Sequence, residues 1–100
     1  QPNIASRNGE SFVTAITNDT VIGFKYFNFK KPVCISVTVR NANGRMDIKI
    51  GDKTVGIIPL SQSTEWKTFS VKIDPGEKTD ALYLVYRGKG KADFLKMELK

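Results

Sequence analysis

Histidine is absent from this sequence, and with it go the usual general base, nucleophile partner and transition-metal ligand near neutral pH. Ser-His-Asp, Cys-His and His-zinc chemistries are excluded. Cys34 is the single cysteine, so it closes no bridge within the chain, and nothing beside it marks an activated thiolate; it is expected to be a small buried hydrophobe. Two carboxylates can hydrolyse a glycoside when they face each other across a cleft at set separations, but no spacing here fixes such a pair. The chain is therefore predicted not to be an enzyme in itself, and its informative side chains are those suited to recognition. They are Trp66, behind the polar loop Ser61 to Glu65; Tyr26, Tyr83 and Tyr86; the polar turn Asn18-Asp19-Thr20; Asp93; and the basic loop Arg87-Gly88-Lys89-Gly90-Lys91.

Positioning these residues falls to a chain of 100 residues, one domain's worth, with 40% hydrophobic and 26% charged residues and a net charge of +6. That balance is ordinary for a folded domain, and the length suffices for a core without disulfide or metal staples. No apolar run approaches the roughly 18 to 20 residues that span a bilayer, and no basic, apolar, small-residue leader opens the chain. The chain is expected to be soluble. A first residue Gln1 fits a processed protein or an excised piece, and composition does not determine the compartment.

The 25 β-branched residues outnumber five Leu and five Ala, which favours a pleated, half-buried surface over helices. Val33 to Arg40 alternates strictly, with Val33, Ile35, Val37 and Val39 on one face. Asn41-Ala42-Asn43-Gly44 has turn chemistry, and Met46, Ile48 and Ile50 then alternate again, which predicts a hairpin. Further strands are predicted at Ser11–Ile16, Val21–Phe29, Thr54–Leu60, Lys67–Ile73, Ala81–Tyr86 and Asp93–Leu99. Ala81–Tyr86 is apolar nearly throughout, as in a strand covered on both sides. About eight short strands with frequent turns make an all-β sandwich or barrel.

Several stretches, in order, resemble carbohydrate-binding module family 6, the β-sandwich found beside glycoside hydrolase family 43 domains such as xylosidases and arabinofuranosidases. Phe12 to Phe29 resembles the family's early strand, turn and aromatic-rich second strand. Gly44-Arg45-Met46-Asp47-Ile48-Lys49-Ile50 is similar to its "Gly-x-Ile-Glu-Ile-Arg-Leu" strand, and Val55-Gly56-Ile57-Ile58-Pro59 to its "Val-Gly-x-x-x-Val-Pro" step. Trp66-Lys67-Thr68-Phe69 and Ala81 to Gly88 resemble its "Trp-x-Thr-Val" and "Asp-Leu-Tyr-Leu-Val-Phe-x-Gly" signatures. The resemblance runs from about Phe12 to Leu99. It implies an antiparallel jelly-roll sandwich, galactose-binding-like, filling residues 1–100 as one domain. It also implies a non-catalytic module that stacks sugar rings on aromatic faces and orients hydroxyls with amides or carboxylates. The implied partners are an oligo- or polysaccharide and a catalytic glycoside hydrolase domain, with no membrane, and the implied location is secreted or periplasmic.

The sequence departs from that family at its rim. The family's stacking Tyr falls on Ala15, the aromatic after its turn on Val21, a second stacking Trp on Ser63 or Thr64, and its late Asn on Asp93. The family's structural calcium uses an opening "Glu-Ala-Glu" strand and a late Asp; the late position is Leu95, and no such opening strand is predicted before Phe12, which fits either a trimmed first strand or a shortened relative, so no cofactor is expected, with a structural calcium left open although its family ligands are missing. The sugar-binding candidates are Trp66, Tyr26, Tyr83, Asp93 and Asn18. Each has a plainer reading: core-edge anchor for Trp66, strand packing for the tyrosines including Tyr86, turn formation for Asn18-Asp19-Thr20, which also fits a glycosylation acceptor. Asp93, Asn18 and Lys91 would form a polar rim if their loop tips meet. The basic loop reads as solvated surface, and part of the positive excess suits acidic glycans. Three functions stand: an ancillary domain binding xylan- or arabinan-type plant cell-wall glycans weakly or packing on a catalytic domain; a purely structural interdomain module; and a basic nucleic-acid-binding barrel.

Overall fold

The computed structural model describes residues 3–7 and 10–100, with side chains for residue 12 onward except Lys25. It is all-β, as the alternation predicts, with nine strands: β1 (Asn3–Arg7), β2 (Glu10–Ile16), β3 (Val21–Phe29), β4 (Val33–Arg40), β5 (Gly44–Ile50), β6 (Lys53–Leu60), β7 (Lys67–Ile73), β8 (Lys78–Gly88) and β9 (Ala92–Leu99). They form a five-stranded sheet ordered β1-β2-β9-β4-β7 and a four-stranded sheet ordered β3-β8-β5-β6. Every described pairing is antiparallel.

The alternating aliphatics are the reason the two layers stay together. Ile35, Val37 and Val39 of β4, Met46, Ile48 and Ile50 of β5, and Leu82, Leu84 and Tyr86 of β8 are all buried to within 1%. They share one core with Ile16, Phe29, Ile58, Ile73 and Phe94. Each fully buried aliphatic side chain is worth about 1.5–3 kcal/mol against exposure. β8 lies between β3 and β5, so its outward Ala81 and Val85 are also nearly covered, at 6% and 5%. That accounts for its continuous apolar run.

Two features differ from the sequence expectation. A strand precedes Phe12: β1 pairs with β2 from Asn3↔Thr14 to Arg7↔Glu10, although its Asn-Ile-Ala-Ser-Arg lacks clean alternation. The segment Asn41–Gly44 does not close a hairpin, because β4 and β5 belong to different sheets. It is a corner, with Asn41 at φ 60° and its amide held by the Ser63 carbonyl at 2.7 Å. The same positive-φ chemistry serves a corner and a hairpin. The hairpin of β5 is with β6, around Gly51 at φ 63°.

The outer face of the five-stranded sheet is polar. Ser36 and Ser70 share a hydroxyl hydrogen bond of 2.8 Å across β4 and β7, and Thr38 and Thr68 share another of 2.8 Å. Cys34 opens this outward row, half-buried opposite Lys72. It is thus half-buried rather than the fully buried small hydrophobe expected, on the face opposite Ile35.

Candidate functional site

The outer face of the four-stranded sheet is built by register. One row runs Gly23–Tyr83–Lys49–Thr54 and the next Val21–Val85–Asp47–Ile57. Beyond the first lie Tyr26 opposite Ala81 and Asn28 opposite Thr79, the latter pair joined by a 3.1 Å hydrogen bond from the Thr79 hydroxyl to Asn28 Oδ1. Beyond the second lie Arg87, Arg45 and Pro59.

Tyr26 reaches this face through a β-bulge. Phe24 pairs with Leu82 and Tyr26 with Ala81, so Lys25 is an extra residue in β3. Were Lys25 paired regularly, with no bulge, Tyr26 would share the inward phase of Ile22 and Phe24. With it Tyr26 is 73% exposed, while Phe27 packs against the core and Phe29 is buried. Tyr26 and Tyr83 are diagonal cross-strand neighbours, within reach for aromatic side chains. The Tyr83 ring lies over Gly23: a Cβ there would stand 3.2 Å from Tyr83 Cε1, the close approach that an in-strand glycine permits. Val21, Tyr26 and Ile57, the exposed large hydrophobics among the described residues, all lie on this face.

Charge on the face is organised around Asp47, 9% exposed. Its Oδ1 accepts from Arg45 Nε at 2.9 Å and its Oδ2 from Arg87 Nε at 3.3 Å. Arg87 also donates Nη1 to Asp19. The Arg87 pKa is raised above the ordinary arginine value, first by the Asp47 hydrogen bond and then by Asp19, against a desolvation that opposes it. Arg87 thus stays cationic and bridges two acids.

The other sequence candidates lie elsewhere. Trp66 stands at the entrance to β7, half-buried, with the Arg40 guanidinium carbon 4.2 Å from its ring centre and the Phe12 ring edge-on at 5.1 Å and 75°. Arg40 also lies 5.0 Å from the Phe12 ring and donates Nε to Asp93 Oδ2 at 2.8 Å. The structure therefore joins Trp66 to Asp93 through Arg40, on the five-stranded sheet, apart from Tyr26 and Tyr83. Asn18 occupies the β2–β3 turn, where Asp19 has φ 72° and Thr17 N donates to Thr20 Oγ1 at 3.0 Å. Its Oδ1 accepts from Gly88 N at 3.1 Å, so its recorded bond is to the end of β8 and that of Asp93 is to Arg40. Tyr86 is core: its hydroxyl accepts from Asn43 N at 2.9 Å and donates toward the Lys89 carbonyl at 3.2 Å. Among the described residues no three of His, Cys, Asp and Glu converge. No helix among the described residues is long and apolar enough to cross a membrane.

Residues the sequence did not single out for this face are Ile57, Lys49 and the Arg45–Asp47–Arg87 group. The signal for the group was period two: Arg45, Asp47 and Lys49 alternate against Met46, Ile48 and Ile50.

No protein-family model matches the sequence. A xylosidase/arabinosidase of Thermoclostridium stercorarium is 31% identical over 84 residues, covering 81% of this chain; the chain spans 18% of that relative's length. Among solved structures, a family 6 carbohydrate-binding module from Clostridium cellulolyticum, determined with xylose, superposes with a TM-score of 0.87 at 12% identity, covering 99% of this chain and 86% of that one. A module from Clostridium stercorarium determined with cellobiose gives 0.84 at 17%, covering 99% and 81%. A glycoside hydrolase family 43 arabinoxylan arabinofuranohydrolase from Bacillus subtilis gives 0.78 at 15%, covering 96% of this chain and 22% of that enzyme. The chain has the β-sandwich fold of the family 6 carbohydrate-binding modules, which is what its run of strand motifs predicted.

Proposed function

We propose that this chain is a non-catalytic glycan-binding module of a secreted enzyme that degrades plant cell-wall polysaccharides of the xylan or arabinan type, and that the outer face of the four-stranded sheet is its binding surface. The single observation that carries this reading is the exposed Tyr26 set diagonally beside Tyr83 on that face, which also carries the exposed Val21 and Ile57 on its two edge strands. A solvated sheet face normally carries its large apolar groups inward; an apolar patch rimmed by polar groups marks a contact surface. A pyranose presents apolar C–H patches that Tyr26 and Tyr83 can cover, while Asn28 and Thr79 offer amide and hydroxyl partners at the edge. The likeness to a xylosidase/arabinosidase and to sugar-bound modules supports the ligand class. Trp66 and Asp93, tied to Arg40, serve the stability of the module in this reading.

Calorimetric titration with xylo-, arabino- and cello-oligosaccharides tests it. Millimolar or tighter binding that Tyr26→Ala weakens supports the sheet-face site. No binding of any of them at millimolar ligand rejects it and leaves the second reading, a module that packs this same apolar face on a catalytic domain.

A further inference from the structure

The geometry points to a specificity within that surface: the glycan it takes carries a carboxylate, as a uronic acid does, and Lys49 is the residue that meets it. This rests on the glycan-binding reading of the same face. Lys49 pairs in register with Tyr83 on one side and Thr54 on the other, so its ammonium belongs to the row that carries the stacking ring. Both oxygens of the neighbouring Asp47 are taken by Arg45 and Arg87, and Asp19 is on Arg87 as well. Among the described residues no carboxylate lies within ion-pair distance of Lys49. Of the charges named on this face, Arg45, Lys49 and Arg87 exceed Asp47 and Asp19 by one, and Lys49 is the one left over.

A neutral chain laid across Tyr83 would strip water from that ammonium without offering an opposite charge, which costs binding energy. A carboxylate-bearing sugar removes the conflict: its ring covers Tyr83 and its anion takes the place of the lost hydration. The chain's net charge of +6 adds an attractive field for a polyanionic polysaccharide. An ion pair at a partly exposed site is worth up to about a fivefold change in affinity and is screened by salt.

The test uses three probes on the intact chain: a linear xylo-oligosaccharide, the same oligosaccharide bearing one glucuronic acid branch, and that branched compound with its carboxyl reduced to the alcohol. Expected at low ionic strength is binding of the acidic compound about fivefold tighter than its reduced form, a preference that shrinks in about 0.5 M salt. The preference disappears in Lys49→Gln and persists in Lys72→Gln, a lysine on the opposite sheet. Equal binding of the acidic and reduced compounds overturns the inference while leaving glycan binding intact. A preference retained in Lys49→Gln overturns the assignment to Lys49, and failure of all three probes to bind overturns the inference together with the xylan reading of this face.

Discussion

Arg40 lies over Trp66, its guanidinium carbon 4.2 Å from the ring centre, while its Nε holds Asp93 at 2.8 Å. The pair is mostly covered, with side-chain exposures of 13% and 17%. Removing the acid leaves a poorly solvated cation against two rings. Asp93→Ala is therefore expected to destabilise the domain by about 1–2 kcal/mol, lowering Tm by roughly 4–8 °C per kcal/mol. Trp66 emission should shift to the red as its cover loosens. An unchanged Tm and spectrum would show that the stack contributes little. Full glycan affinity in the same variant would remove Asp93 from the binding candidates.

Tyr26→Ala is expected to act on binding alone. The side chain is 73% exposed, so Tm should move by less than about 2 °C. Covering about a third of a tyrosine side chain, roughly 60 Å², is worth about 1.5 kcal/mol, so affinity for an oligosaccharide should fall about tenfold. Isothermal titration reads the second quantity and scanning calorimetry the first.

Gly23→Ala probes Tyr83 without touching it. The new methyl would press on the ring at 3.2–3.3 Å, displacing it by a few tenths of an ångström. Glycan affinity should drop several-fold while stability changes by less than about 1 kcal/mol. Affinity equal to wild type would exclude a stacking role for the Tyr83 ring in its present position.

Gly88 and Tyr86 make the corresponding test of the fold. A Cβ on Gly88 would stand 2.6 Å from the Tyr86 hydroxyl and collide with the Asn43 carbonyl. Gly88→Ala should cost about 3 kcal/mol. Tyr86→Phe should cost about 1–3 kcal/mol by stranding the Asn43 amide. Denaturant unfolding measures both, and a smaller loss for Gly88→Ala than for Tyr86→Phe would contradict the packing described.

Arg87 sets the pH behaviour of the charged row. Its folded-state pKa is raised, chiefly by Asp47, so its stabilising contribution is fully present below the ordinary arginine value and is lost only as strongly alkaline pH passes the folded one. The stability difference between wild type and Arg87→Met should therefore stay constant from about pH 7 to about pH 10. A difference that fades within that window would mean another group controls the row.

Most of the architecture was legible because most strands alternate against a single core. Val33–Arg40, Val21–Phe29 and Lys67–Ile73 carry the same bounds in sequence and structure. Pairing was less legible: Asn41–Gly44 bears the residues of a tight turn, and nothing local distinguishes a link within one sheet from a corner between two. β1 escaped notice because Asn3–Arg7 has no clear two-residue rhythm. On the candidate face, Tyr26 and Tyr83 could be named from type alone, but not that they share a surface with Val21 and Ile57. Trp66 and Asp93 were visible as candidates, whereas their common partner Arg40, distant in sequence from both, required the fold.

The extra residue at Lys25 has a wider implication for how such a module diversifies. A strand's inside and outside are assigned by counting, so one inserted position re-addresses every side chain on one flank of it. Were Lys25 paired regularly rather than absorbed by the bulge, Tyr26 would turn inward and Phe27 and Phe29 outward with no change of residue type. New recognition surfaces on this scaffold can thus arise from a single codon's gain or loss, faster than by replacing each ring in turn.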